Sequence, residues 1–319
     1  MIKRSASLLR QHRQSDQGPH STHWKTVDRQ TILKSLSASL GDLLEVVREA
    51  GERILDVYSH DFDVVLKSDL SPLTLADQRA HEILFERLPR ILAVPVLSEE
   101  GRAIGYTERA AWTTFWSADP LDGTREFVKK SGDFCVSVGL VHEARPLFGV
   151  IYIPLEDRIY FGGREFGAFA LDGKNSAALH RHPAHTILSR STALGIDREP
   201  SDREWVLIGS ASHGSELPGT LLSRLNKKHP FSAKAVGSAI KFCRIADGSA
   251  DFYPRTGTTM EWDTAAGQAI VEATGGGLIS IGDRRPLLYN KEHLENPDFY
   301  CYGRRFAEEF PELLSPGAV

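Results

Sequence analysis

The sequence predicts an α/β protein in two parts, an α+β first half and a smaller α/β second half. Two observations carry this. Two stretches before residue 100 repeat apolar residues at helical spacing, and a run of strand candidates follows between residues 134 and 171; paired helices followed by consecutive strands make the α+β pattern. After residue 205 strands and helices alternate, as in α/β layers. At 319 residues the chain can bury a large core or form two ordinary domains.

Residues 1–39 are rich in Arg, Ser, Gln and His without sustained periodicity, and read as a disordered or loosely packed extension. Lys3, Arg4, Arg10 and Arg13 precede its first acid, Asp16, a pattern shared with organellar targeting sequences, although a plain solvated tail explains it more simply. Leu43, Val46, Val47, Ala50, Ile54 and Val57 predict an amphipathic helix over 41–58. A short strand at 64–66 precedes a second helix that starts after Pro72 and presents Ala76, Ala80, Ile83, Leu84 and Leu88. A strand over 94–97 runs into Ser98-Glu99-Glu100. Phe115 and Trp116 read as the end of a buried strand, with Asp119-Pro120 as a break and a short helix from Thr124. Strands are predicted at 134–141, 147–153, 158–161 and 167–171. Residues 174–200 are mixed in polarity and read as a domain junction. His180, His182 and His185 there read as exposed loop histidines, since no carboxylate or Cys stands at ligand spacing. The second half reads strand 205–208, helices 219–226 and 238–246, strand 250–253, helix 264–273 and strand 278–281, with Gly275-Gly276-Gly277 as the helix stop. The expected division is 1–39, 40–180 and 181–319.

Composition narrows the function. The net charge of −4 gives no global reason to expect nucleic-acid polymers or membrane surfaces as partners, so an anionic ligand needs local cations or metal. Cys135, Cys243 and Cys301 are far apart with no C-x-x-C, which argues against a disulfide framework or thiolate zinc site and fits a reducing compartment. No apolar run approaches the roughly 18 residues that span a bilayer.

The chemistry gathers in W-S-A-D-P-L-D-G-T-R-E-F, residues 116–127, where Asp119 and Asp122 flank Pro-Leu and Gly123-Thr124 follow. Carboxylates at such a turn can hold a hard cation, and helix-start amides can hold a phosphate. Glu99 and Glu100 stand where a strand leaves the core, Asp263 in E-W-D-T-A-A-G opens a helix, and Asp77 lies in the first turn of another. Each alone admits a structural role: an Asx turn, an N-cap, a Thr74-x-x-Asp77 capping box, or solvated charges. Together Glu99, Asp119, Asp122 and Asp263 make an all-oxygen set at element ends, which selects Mg²⁺ or Mn²⁺ over zinc.

L-S-E-E, D-P-L-D-G-T-R-E-F and W-D-T-A-A-G, in this order, resemble the lithium-sensitive, magnesium-dependent phosphatase superfamily. That superfamily includes inositol monophosphatases, fructose and inositol polyphosphate phosphatases, and 3′(2′),5′-bisphosphate nucleotidases. S-P-L-T-L-A-D, P-V-L-S-E-E, G-S-A-I-K-F-C and Y-P-R-T-G further resemble the CysQ-type bisphosphate nucleotidases, and the similarity runs over residues 41–299. The resemblance implies an αβαβα layered sandwich with a metal site in the cleft between its two subdomains. It implies that Glu99, Asp119, Asp122 and Asp263, with the Leu121 carbonyl, hold two or three Mg²⁺ ions, for which Mn²⁺ substitutes. Gly123 and Thr124 would offer amides to the scissile phosphate; Thr124 and Asp77, with Glu99, would orient and deprotonate the attacking water. Asp263, Ser238, Lys241, Arg255 and His213 would surround the nucleotide and its remaining phosphate.

Two local features agree with an anionic substrate. Ser238 and Lys241 are three apart on a predicted helix and can face one way. The resemblance implies that inositol monophosphatases place an acid near the Arg255 region to accept polyol hydroxyls, whereas here Y-P-R-T-G-T-T has no acid until Glu261. The implied reaction removes the 3′-phosphate of adenosine 3′,5′-bisphosphate, or of its sulfated precursor, in sulfur assimilation. The implied setting is cytoplasmic, with peripheral association at the inner membrane allowed. The rivals are an inositol monophosphatase or broader sugar-phosphate phosphatase, and a catalytically idle nucleotide-binding regulator. Two departures from the family stand out: the extension before Gly41, and Arg125 where many relatives carry Lys.

Overall fold

The computed structural model describes residues 27–60, 62–67, 72–173, 178–195, 203–210 and 219–315. Helix α1 (Arg29–Ala38) starts at Asp28, whose carboxylate accepts the Thr31 N–H at 3.0 Å. This corrects the expectation of a disordered or loose extension through residue 39. Ile32 and Leu36, one turn apart, are buried in the same core as helix α2 (Leu40–Tyr58). Ile32, Leu33 and Leu36 keep helical spacing but for little more than one turn inside a polar stretch, and burial against α2 supplies the stability that so short a segment lacks.

A hairpin of β1 (Val64–Leu66) and β2 (Pro72–Thr74) leads into α3 (Leu75–Ile91). Pro72 therefore sits in a strand, and the helix starts three residues later, at Leu75, because Thr74 caps it through the Ala76 N–H. Next come β3 (Val96–Ser98), β4 (Thr114–Asp122), α4 (Thr124–Val128), β5 (Cys135–His142), β6 (Arg145–Ile153), β7 (Arg158–Gly163), β8 (Gly167–Asp172), α5 (Ala184–Arg190) and β9 (Thr192–Leu194). The seven strands β3 to β9 form one sheet in sequence order, with β3 parallel to β4 and the later neighbours antiparallel. The supposed junction over 174–200 thus contributes a helix and an edge strand to this sheet.

The second half runs β10 (Trp205–Ser210), α6 (Gly219–Lys228), β11 (Phe231–Val236), α7 (Ile240–Ala246), β12 (Phe252–Arg255), α8 (Glu261–Ala273), β13 (Gly277–Ser280), β14 (Phe299–Tyr302) and α9 (Arg304–Glu309). Its five strands are ordered β11-β10-β12-β14-β13. Strands β11 and β14 escape the sequence reading: β11 is a half-exposed edge strand without clean alternation, and β14 is a four-residue aromatic run.

Period-two alternation sorts the first sheet between two cores. Trp116, Ala118, Val136 and Val138 pack with α2 and α3, while Phe115, Cys135, Val141 and Ile151 pack with α7 and α8. The outer face of the second sheet buries Leu221 and Leu225 of α6 and Phe306 of α9. The layers are αβαβα. Gly139 and Gly149 let α8 lie directly on the first sheet, since a Cβ at Gly149 would come 2.2 Å from the Ala266 carbonyl oxygen. The N-terminus of α8, with Asp263, is thereby fixed beside the ends of β3 and β4. No described helix is long and apolar enough to cross a membrane.

Candidate active site

Strands β3 and β4 pair in parallel through Ser98↔Ala118, so Glu99 and Asp119 emerge side by side from neighbouring strand ends. The Glu99 N–H continues the ladder to the Ala118 carbonyl at 3.1 Å. Asp-Pro does not break the strand, contrary to expectation. It forms a bulge: Asp119 pairs with Ser137 and Asp122 with Cys135, which inserts one extra residue into β4. Three residues apart in a regular strand would face opposite ways; the bulge returns both carboxylates to the α8 side.

Carboxylate oxygens of Glu99, Asp119 and Asp263 lie within 4.8 Å of one another. Burial pushes the Asp119 carboxyl well above the usual range, and Glu99, Asp122 and Asp263 push it further. Asp263 is raised in the same way by burial and then by Asp122 and Glu99. Such crowding of like charges is unfavourable without a counter-charge. An all-oxygen set of this kind fits a hard divalent ion. Asp122 stands outside the close group, with its Oδ2 accepting the Ala239 N–H at 2.6 Å, and burial pushes it up to about 6. The Leu121 carbonyl accepts the Thr124 hydroxyl at 3.1 Å.

One cation that sequence reasoning missed meets this cluster. Lys67 Nζ, at the end of β1, donates to Glu99 Oε1 at 2.6 Å and to Glu100. Its position in V-V-L-K offers no signal that it reaches residues 32 and 33 positions away. Glu100 is itself pushed up to about 7, by burial first, with Lys67 opposing.

Asp77 and Asp263 share a geometry. Each is the third residue of its helix and uses Oδ2 to accept the N-cap N–H, from Thr74 at 2.7 Å and from Met260 at 2.8 Å. Capping occupies one oxygen and leaves the other for the site. Asp77 Oδ1 lies 3.2 Å from the Thr124 hydroxyl, and burial raises its carboxyl to about 6. Gly123 precedes Thr124 at φ +95°, where a Cβ would come 2.6 Å from the Asp133 carbonyl oxygen, so only glycine fits.

Across the cleft stand buried cations. Lys241 Nζ donates to the Val236 carbonyl at 3.2 Å and lies 5.2 Å from the centre of the Tyr253 ring. Burial pushes its amine down to about 8, with Arg255 acting in the same direction and Asp122 and Glu126 opposing. Arg255 is buried; Nη2 donates to the Thr258 carbonyl at 2.9 Å, and Nε has no hydrogen-bond partner among the described residues. Ser238 accepts the Ile240 N–H at 3.3 Å and stands at φ +50°. It precedes α7, which begins at Ile240, so it is a turn residue and not the predicted helix start. His213 lies outside the described residues.

Residues 40–310 match the model of the inositol monophosphatase family. A 3′(2′),5′-bisphosphate nucleotidase CysQ of Aggregatibacter actinomycetemcomitans is 35% identical over 82% of this chain and 91% of its own length. The Escherichia coli K12 protein of that name is 34% identical over 82% of this chain and 98% of its own. The crystal structure of CysQ from Bacteroides thetaiotaomicron superposes with a TM-score of 0.72 at 37% identity, covering 86% of this chain and 98% of that one.

Proposed function

The chain belongs to the inositol monophosphatase family, and from that premise we propose that it is a 3′(2′),5′-bisphosphate nucleotidase, a phosphoric monoester hydrolase. The observation that carries this reading is the pairing of an acidic cluster with a buried cation pair whose Arg255 Nε is left unpartnered among the described residues. A substrate with one phosphate to cleave and a second to hold meets both needs. The first acid after Arg255, Glu261, is fully buried and accepts N–H groups of Asn290 and Lys291 together with the Lys291 ammonium, which disfavours a polyol at that position.

Glu99, Asp119, Asp122 and Asp263, with the Leu121 carbonyl, would hold two or three divalent ions, Mg²⁺ by preference and Mn²⁺ as substitute. When bound, such ions neutralise charge on the phosphate and acidify water. The chain's own residues supply the remainder. Thr124 Oγ1 can pass its proton to Asp77 Oδ1 while taking one from the attacking water, and a carboxyl near 6 is suited to accept it at neutral pH. The Gly123 and Thr124 amides would receive phosphate oxygens. Lys241, Arg255 and Ser238 would hold the phosphate that is not cleaved, with His213 proposed beside them. Adenosine 3′,5′-bisphosphate is the substrate we infer, giving AMP and phosphate, in the sulfur-assimilation setting that the sequence resemblance implies.

The test is Mg²⁺-dependent phosphate release from adenosine 3′,5′-bisphosphate, inositol 1-phosphate and fructose 1,6-bisphosphate, each with and without lithium. Dominant, lithium-sensitive release from the nucleotide is expected. Dominant release from the inositol phosphate would leave the acidic site standing and overturn the substrate assignment.

A further inference from the structure

The turn between β11 and α7 carries the cation side of the cleft, yet carboxylates of the first half hold it. Asp133 Oδ2 accepts the Gly237 N–H at 2.8 Å, and Asp122 Oδ2 accepts the Ala239 N–H at 2.6 Å. Between them Ser238 is at φ +50°, a left-handed conformation that a non-glycine residue keeps only where its surroundings enforce it. The packing leaves no slack. A Cβ on Gly237 would come 2.6 Å from Asp133 Cβ and 2.8 Å from Glu126 Cγ. A Cβ on Gly123 would come 2.6 Å from the Asp133 carbonyl oxygen and 3.1 Å from Ser238 Cβ. Asp133 thus borders the Gly123 loop with its carbonyl and grips the cation turn with its carboxylate. Lys241 closes the same turn by donating to the Val236 carbonyl at 3.2 Å.

We infer that Asp133 is a positioning residue for substrate selectivity. It sets the distance between the Gly123–Thr124 loop, which faces the phosphate to be cleaved, and Ser238 and Lys241, which face the retained one. The inference rests on the nucleotidase reading above and extends it to a residue outside the proposed metal ligands. Without the Asp133 carboxylate, one of the two carboxylates that hold the turn's N–H groups is gone. Ser238 can then relax to negative φ, and the start of α7 shifts with it. Cleavage at the acidic cluster does not depend on that anchor; recognition of the second phosphate does.

The experiment compares kcat/KM on adenosine 3′,5′-bisphosphate and on adenosine 3′-monophosphate, which lacks the second phosphate. The proteins are the wild type, Asp133→Ala, Asp133→Ser and Asp133→Asn, each with a thermal melt as fold control. Serine is a second, milder break, since it is too short to reach the Gly237 N–H. Ala and Ser should lose about tenfold or more on the bisphosphate, chiefly through KM, the loss expected for one hydrogen bond to a charged group. Loss on the monophosphate should stay within about twofold. Asn keeps an acceptor oxygen and should restore selectivity. Equal losses on both substrates in a variant that melts like wild type would overturn the positioning role and leave the nucleotidase reading intact. A wild-type enzyme with no preference for the bisphosphate would overturn that reading itself, and this inference with it.

Discussion

The two sides of the cleft treat charge in opposite ways. On the acidic side, Asp119 and Asp263 are driven well above the usual carboxylate range by burial and then by neighbouring acids, Glu99 and Asp122 among them, and Lys67 binds Glu99 and Glu100 at the rim. On the basic side, Lys241 and Arg255 are buried together, and the Lys241 amine falls to about 8. Each side has only partial counter-charge, Lys67 beside the acids and Asp122 and Glu126 beside Lys241. The sides touch through backbone, where Asp122 and Asp133 grip the Gly237–Ala239 turn. Stability alone would favour neutralising each cluster locally, so the separation points to ligands of opposite charge, cations on one side and phosphate on the other.

The sharpest way to break this contrast is to remove one acid. Asp119→Asn keeps the shape of a fully buried carboxylate and deletes its charge, so Mg²⁺-dependent turnover should fall about a thousandfold or more; Asp122→Asn should also lose nearly all activity. Turnover near wild type in either, measured at saturating Mg²⁺, would remove that residue from the metal site. On the opposite side, Arg255→Ala should cost about 100-fold in kcat/KM on the bisphosphate, the range for a buried charge on phosphate. It should cost far less on the monophosphate, and equal losses would show that Arg255 does not read the second phosphate.

Chelation sharpens the contrast through pH. Asp77 and Asp122 are raised to about 6 and Glu100 to about 7. Carboxyls with folded values above their unfolded values make the folded state the better proton binder. Their stabilising contribution is therefore complete below about pH 4 and lost as pH rises through 6 to 7. Denaturant melts of the metal-free protein should show stability falling across that window, by about 3 kcal/mol from Asp77 alone. Added Mg²⁺ should flatten the slope; a flat profile without metal would mean that these carboxyls are not buried as described.

The smallest expected effect comes from Lys67→Met. Its ammonium competes for Glu99, so the half-saturating Mg²⁺ concentration, read by calorimetry, should fall about three- to tenfold. A rise instead would make Lys67 a helper of metal binding.

Much of the frame is legible from local pattern. Helical periodicity marks α2 and α3, and Thr74-x-x-Asp77 specifies a cap at α3 because side chain and backbone lie within four residues. The equivalent cap at α8 is harder to see, since its N-cap is Met260 and only the Asp263 half of the box has a sequence signature. Carboxylates at element ends can be singled out by type and position; that Glu99, Asp119 and Asp263 converge while Asp122 turns one oxygen to Ala239 cannot. Helix α1 shows only a short apolar repeat in a polar stretch and takes its stability from packing into the α2 core, while strand β11 is a half-exposed edge strand held by its parallel ladder to β10.

The amino-acid sequence by itself determined the layer class, the metal-friendly oxygen chemistry and the motifs that carry the family resemblance, all of which depend on residue type and short spacing. Only the tertiary structure decided which charges meet. The β4 bulge turns Asp119 and Asp122 to one face, Lys67 reaches Glu99 across 32 residues, and Asp133 holds a turn 104 residues away. Electrostatic energy depends on distance through space and on burial, and neither is encoded in the separation of two residues along the chain.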